Sequence, residues 1–218
     1  MITRDTRLAW ALARDDGMRS QHGVIVDKLE VGTDIQVGVR GGVGAGVNAD
    51  YSQVASCIAG MAAPLQSVGD ALNCRGVLSD KAYKQAASVA ALSAAQVVGR
   101  KLSGFNQWSP ERQRLLYWVA LAALERVWVK LYAIPEKLDY KGREEGRTLD
   151  EPWKVGKWLR GKHGQTLPLK NWGKQWAGVW VLLQDAIYDM DAAGIDLLDE
   201  CIHKQKSRNK GRRAVLQG

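Results

Sequence analysis

The chain has 218 residues, 46% hydrophobic and 25% charged, with 31 Lys and Arg against 23 Asp and Glu for a formal charge of +8. This composition excludes a wholly disordered or fibrous chain and allows one large domain or two small ones around a buried core. The basic balance points to an anionic partner.

Residues 3–16 space Leu8, Ala11 and Leu12 as a helix that stops at Gly17. Val24–Val26 is β-prone, and Ile35, Val37 and Val39 alternate through Thr33–Arg40 as in a half-buried strand, so a small β hairpin is expected at 24–40. Gly41–Gly46 reads as a glycine-rich loop. Asn48 or Asp50 then caps a helix to about Ala62, and Pro64 opens another that ends at Asn73–Gly76. Ser79 caps an alanine-rich helix to about Lys101, whose small side chains suit close helix packing. Gly104–Gln107 is a hinge. Ser109, Pro110 and Glu111 start a largely apolar helix that ends near Ala133, before Pro135.

Pro135–Asp150 is a charged loop. Asp150 caps a short helix that Gly161 and Gly164 break. Thr166–Pro168 start a longer one reaching about Asp191, with Leu169, Trp172, Trp176, Leu183, Ile187 and Met190 along one stripe. Residues 204–218 lack apolar periodicity and read as a disordered basic tail.

The charge is not evenly spread. Residues 1–100 carry 10 bases and 9 acids; 101–218 carry 21 and 14. Pro152–Lys174 holds six bases and no acid, Asp185–Glu200 six acids and no base, and Lys204–Arg213 six bases again. Of nine tryptophans, only Trp10 precedes residue 108. The expected organisation is therefore an N-terminal region at 1–103 with an undefined interaction role, a nucleic-acid-binding region at 104–203, and the tail. The fold class is mainly α: a helical bundle with a small β element near the N-terminus and a helix-turn-helix-like C-terminal half.

Short helix, glycine turn and longer helix is the layout by which helix-turn-helix proteins present the start of their second helix to the major groove. Lys154, Lys157, Arg160, Lys162, Lys170 and Lys174 are the candidates for phosphate contact, and Asn171 and Gln175 for base edges. In the tail, Lys204, Lys206, Arg208, Lys210, Arg212 and Arg213 are candidates for phosphates or an acidic partner. The tryptophans follow the apolar stripe and read as core.

Other chemistries are weaker. Gly44–Ala49 fits GxGxxA, but no second strand with a terminal acid follows. Asp189–Glu200 resembles a calcium loop, yet Ala193 cannot ligate and Asp196 takes the apolar position. The three cysteines are too few and too scattered for a disulfide framework and read as reduced thiols. No nucleophile motif is present. No enzyme, cofactor or metal is expected. The densest apolar run, Tyr117–Leu124, falls short of a membrane span, and the opening MITRDTRLAW lacks a signal core, so a cytoplasmic protein without a membrane partner is expected.

The stretch LLYWVALAALERV, followed by WKVGKWLRGKHGQTLPLKNWGKQWAGVWVLLQDAI, resembles in layout the phage Q-type late-gene antiterminators, whose DNA-binding region is itself similar to the promoter-reading helix-turn-helix of sigma factors. The likeness covers residues 108–192 and lacks the Cys-rich zinc module of one group of those proteins. It implies a transcription regulator, an antitermination factor, that binds double-stranded DNA and loads onto RNA polymerase. The rival readings are a host-takeover inhibitor docking an acidic protein surface, and a metal-dependent nuclease using Glu144, Glu145, Asp185 and Asp189.

Overall fold

The computed structural model describes residues 6–14, 44–132 and 149–215, with the side chains of all but 44–50 and 205–215. Eight helices account for most of them: α1 (Thr6–Ala13), α2 (Gly44–Ala59), α3 (Ala63–Asn73), α4 (Asp80–Lys101), α5 (Pro110–Tyr132), α6 (Pro152–His163), α7 (Trp172–Gln175) and α8 (Ala177–Val215). The protein is mainly α. The β hairpin expected at 24–40 lies outside the described residues, and among those described there is no strand. No described helix is long and apolar enough to cross a membrane.

The caps form where the sequence places two of them. Ser79 Oγ accepts from Ala82 N–H and Ser109 Oγ from Arg112 N–H, each at 3.3 Å, so each hydroxyl satisfies one of the donors a helix start leaves open. Gly164, at φ +64°, closes α6 in the left-handed conformation that glycine adopts without a Cβ penalty. Elsewhere the helix bounds differ from expectation. α2 begins at Gly44, inside the glycine-rich loop assigned to 41–46. α6 is preceded by Glu151 rather than Asp150 and has no side-chain cap.

The chain forms two compact units, one of residues 1–83 and 193–218, the other of 84–192. The boundaries fall inside α4 and α8, away from the divisions expected at 103 and 203.

In the first unit, Trp10 is the centre of the core. Its indole is fully buried, in a cluster with Val54, Ile58, Met61, Leu198 and Ile202. It fits because Gly69 opposite has no side chain. A Cβ on Gly69 would fall 2.1 Å from the ring, whereas one on Gly194 would make an ordinary contact at 3.5 Å. The indole N–H donates to Asp70 Oδ1 at 2.9 Å, and Arg14 Nε donates to the same oxygen at 2.9 Å. The ring thus buries its apolar body and keeps its one donor satisfied. Thr6 donates to Asp199, and Arg7 to Asn73 at 3.0 Å, which tie α1 to α8 and α3.

A second difference concerns the last helix, which the sequence places as ending near residue 191, with a tail from 204. Instead α8 runs unbroken from Ala177 to Val215. Asp189–Glu200 is helix throughout, so the spacing of a calcium loop is not realised there.

In the second unit, α4 buries Ala86, Ala87, Ala90, Ala91, Ala94 and Ala95, and α5 buries Leu116, Val119, Ala120, Ala122, Ala123 and Leu124. Ser88 and Tyr117 share a 2.9 Å hydrogen bond across these two helices. α5 also packs on α6.

Candidate nucleic-acid interface

The basic segment is built on α6, the connector that follows it, and α7. α6 is amphipathic. Val155, Gly156 and Leu159 are buried, while Trp153, Lys157 and Arg160, at i, i+4 and i+7, are exposed on the opposite face. Gly156 lets the connector come close, since a Cβ there would lie 2.9 Å from Leu169 Cδ1. With Leu169 and Leu167 turned inward, Lys170 and Asn171 are left exposed, and Lys162 is exposed at the end of α6.

Among the described residues, Arg160, Lys162, Lys170 and Lys174 are exposed and enter no ion pair. Lys154 differs. Its Nζ lies 2.7 Å from Asp150 Oδ1 and 3.2 Å from Glu151 Oε1. Hydrogen bonding to Asp150 holds the ammonium above its ordinary pKa. Glu151 is held below the ordinary carboxylate range, first by the N–H of Trp153, which donates to it at 2.6 Å, and then by Lys154. Lys154 is therefore already neutralised by the two acids that stand just before the acid-free window.

The expected second helix is interrupted. α7 is a single turn, and Trp176 (φ −125°, ψ −24°) separates it from α8, which opens at Ala177. Lys170 and Asn171 therefore sit on the connector and Lys174 and Gln175 on that turn, rather than on the opening turns of the long helix. The break has a packing cause. Trp176 turns inward until only 1% of it is exposed and meets Trp108 edge-on, centroids 6.0 Å apart. A continuous helix from residue 166 would have to give up that seat.

Arg112 of α5 completes this cluster. Its guanidinium carbon lies 3.7 Å from the Trp108 ring centre and 5.8 Å from that of Trp176, and its Nη2 donates to Gln175 O at 3.3 Å. The indole N–H of Trp176 and the Nε of Arg112 are both buried and meet no acceptor among the described residues. At the end of α6, His163 lies between Trp118 and Trp158, ring centroids 5.1 and 4.9 Å away. Burial, then the charge of Lys162, lower its pKa, so it is held as neutral imidazole. Neither Arg112 nor His163 stands out in the sequence, because Gln175 and Trp176 reach Arg112, and Trp118 reaches His163, from other elements.

Eight of the nine tryptophans are at least partly buried, whereas Trp153 is 45% exposed beside Lys157 and Arg160. In the C-terminal block, Lys204 pairs with Glu200 at 3.3 Å. Lys206, Arg208, Lys210, Arg212 and Arg213 lie along the last turns of α8. Asp185 and Asp189 are exposed on α8, and no three metal-ligating side chains converge among the described residues; Glu144 and Glu145 lie outside them.

Comparison with protein-family models, with curated proteins and with solved structures returned no match.

Proposed function

We propose that the protein binds double-stranded DNA through α6, the connector and α7 of the second unit, and that it regulates transcription, acting as an antitermination factor on RNA polymerase. One observation carries the DNA reading: Arg160, Lys162, Lys170 and Lys174 stand exposed, without ion pairs, on consecutive short elements. Cations left in water beside one another repel, and a phosphate backbone relieves that repulsion while releasing its counterions. Asn171 supports a base-reading role, because its exposed side chain makes no cap bond to α7 and keeps its amide donors and acceptor available. The regulatory role rests on the sequence resemblance.

The test is fluorescence anisotropy with a random-sequence duplex across a salt series. Affinity should fall steeply as salt rises, and the double variant Lys170→Glu/Lys174→Glu should lose binding with its circular dichroism unchanged. Absence of binding at low salt overturns the reading. Undiminished binding by the double variant moves the interface elsewhere.

A further inference from the structure

Two of the three cysteines meet in the first unit. Cys57 is on the last turns of α2 and Cys201 on α8, and each is half-buried. They are brought together by the core beneath them, where Tyr51, Val54 and Ile58 pack with Leu198 and Ile202. The Cys57 thiol donates to the Leu197 carbonyl oxygen, 4.0 Å away, one helical turn before Cys201, whose side chain lies within interaction range of it. Burial first, and then the hydrogen bond and charge of Cys201, push the Cys57 thiol up to about 12, against the opposing pull of Lys204. The third thiol, Cys74, is fully buried beside Asp70, and burial raises it well above its ordinary value.

We propose that Cys57 and Cys201 are a peroxide-sensitive dithiol that closes into a disulfide, locking α2 to α8. The sulfur of Cys201, on giving its proton to solvent, attacks one oxygen of a hydroperoxide. The O–O bond breaks, a sulfenic acid forms at Cys201, and the departing oxygen leaves as hydroxide or alkoxide. Cys57 gives its proton to the departing base, and its sulfur displaces the sulfenic oxygen. The S–S bond forms, and that oxygen leaves as water after taking a proton from solvent. Two thiols and one hydroperoxide become a disulfide, water, and a second water or an alcohol; the two sulfurs are oxidised and the peroxide is reduced. Partial exposure gives the oxidant access to this pair, whereas Cys74 is shielded. The bond would cross-link segments far apart in the chain, which restricts the unfolded state most.

The experiment treats the full chain with hydrogen peroxide and counts free thiols. The count should fall from three to one, the intact mass should drop by two hydrogens, and peptide mapping should show Cys57 joined to Cys201. A dithiol reductant should reverse all three changes, and the oxidised protein should melt at a higher temperature than the reduced one. Cys57→Ser and Cys201→Ser should each abolish the bond, while Cys74→Ala should keep it. Mapping the unaltered chain makes the test independent of whether any variant folds. Sulfinic acid on Cys201 without a disulfide, a bond to Cys74, a bond between two chains, or no change overturns the proposal. No outcome depends on DNA binding, so the two proposals stand or fall separately.

Discussion

Arg112 lies flat over Trp108, its guanidinium carbon 3.7 Å from the ring centre, while its Nη2 holds the Gln175 carbonyl. The arginine thereby connects the start of α5 to the break before α8. Removing it costs the cation–π contact and a charge-assisted hydrogen bond. Arg112→Ala should lower stability by about 1–2 kcal/mol. Arg112→Lys should recover only part of this, because an ammonium cannot both stack on the indole and keep the planar fork. Urea unfolding followed by tryptophan fluorescence checks both variants, and equal stability of Arg112→Lys and the unaltered chain would remove the stacking argument.

Trp10 and Gly69 make a similar pair in the first unit. A methyl at Gly69 would sit 2.1 Å from the indole, and the ring is held against movement by its bond to Asp70. Gly69→Ala should therefore destabilise by about 3 kcal/mol, the upper part of the overpacking range. Gly194→Ala meets the same ring at 3.5 Å, an ordinary contact, and should be near neutral or mildly stabilising within a helix. Thermal melts of the two variants provide the comparison. Equal effects would mean that the core around Trp10 yields more readily than its packing indicates.

The local signals were legible in the sequence and the long-range ones were not. Ser79 and Ser109 announce their helices because capping acts within three residues. By the same local logic the helix from 166 reads as ending near 191, yet α8 passes through Gly194, where Trp10 from the other end of the chain packs against it. Trp176 fits an unbroken apolar stripe, but its seat against Trp108 and Arg112 comes from α5 and interrupts the helix. The clustering of bases at Pro152–Lys174 was visible. What the count could not show is that Asp150 and Glu151, just outside it, reach back to Lys154.

His163 gives the second unit a pH dependence. Its pKa is lowered by burial, so the unfolded chain binds the proton more readily than the folded one. Its contribution to stability is complete above the unfolded value of about 6.5 and is lost as the pH falls through the folded one. Urea midpoints should therefore decline from near neutrality into the acid range. His163→Phe, which keeps a ring between Trp118 and Trp158 but cannot titrate, should flatten that part of the profile. An unchanged slope in this variant would assign the decline to other groups.

The exposed cations should not contribute equally to DNA binding. Arg160 faces solvent without an ion pair, so its contact with a phosphate releases a counterion outright; Arg160→Ala should reduce the salt slope of log K by about 0.9. Lys154 must first leave Asp150 and Glu151, and the acids it abandons then repel the same phosphate. Lys154→Ala should leave the slope nearly unchanged and weaken binding slightly at most. Asp150→Asn with Glu151→Gln should do the reverse, freeing Lys154 and removing two negative charges, so that both affinity and slope increase. Anisotropy titrations of the three variants at several salt concentrations read these slopes directly. If Lys154→Ala lowers the slope as much as Arg160→Ala does, the ion pairs with Asp150 and Glu151 do not restrain the lysine in the complex.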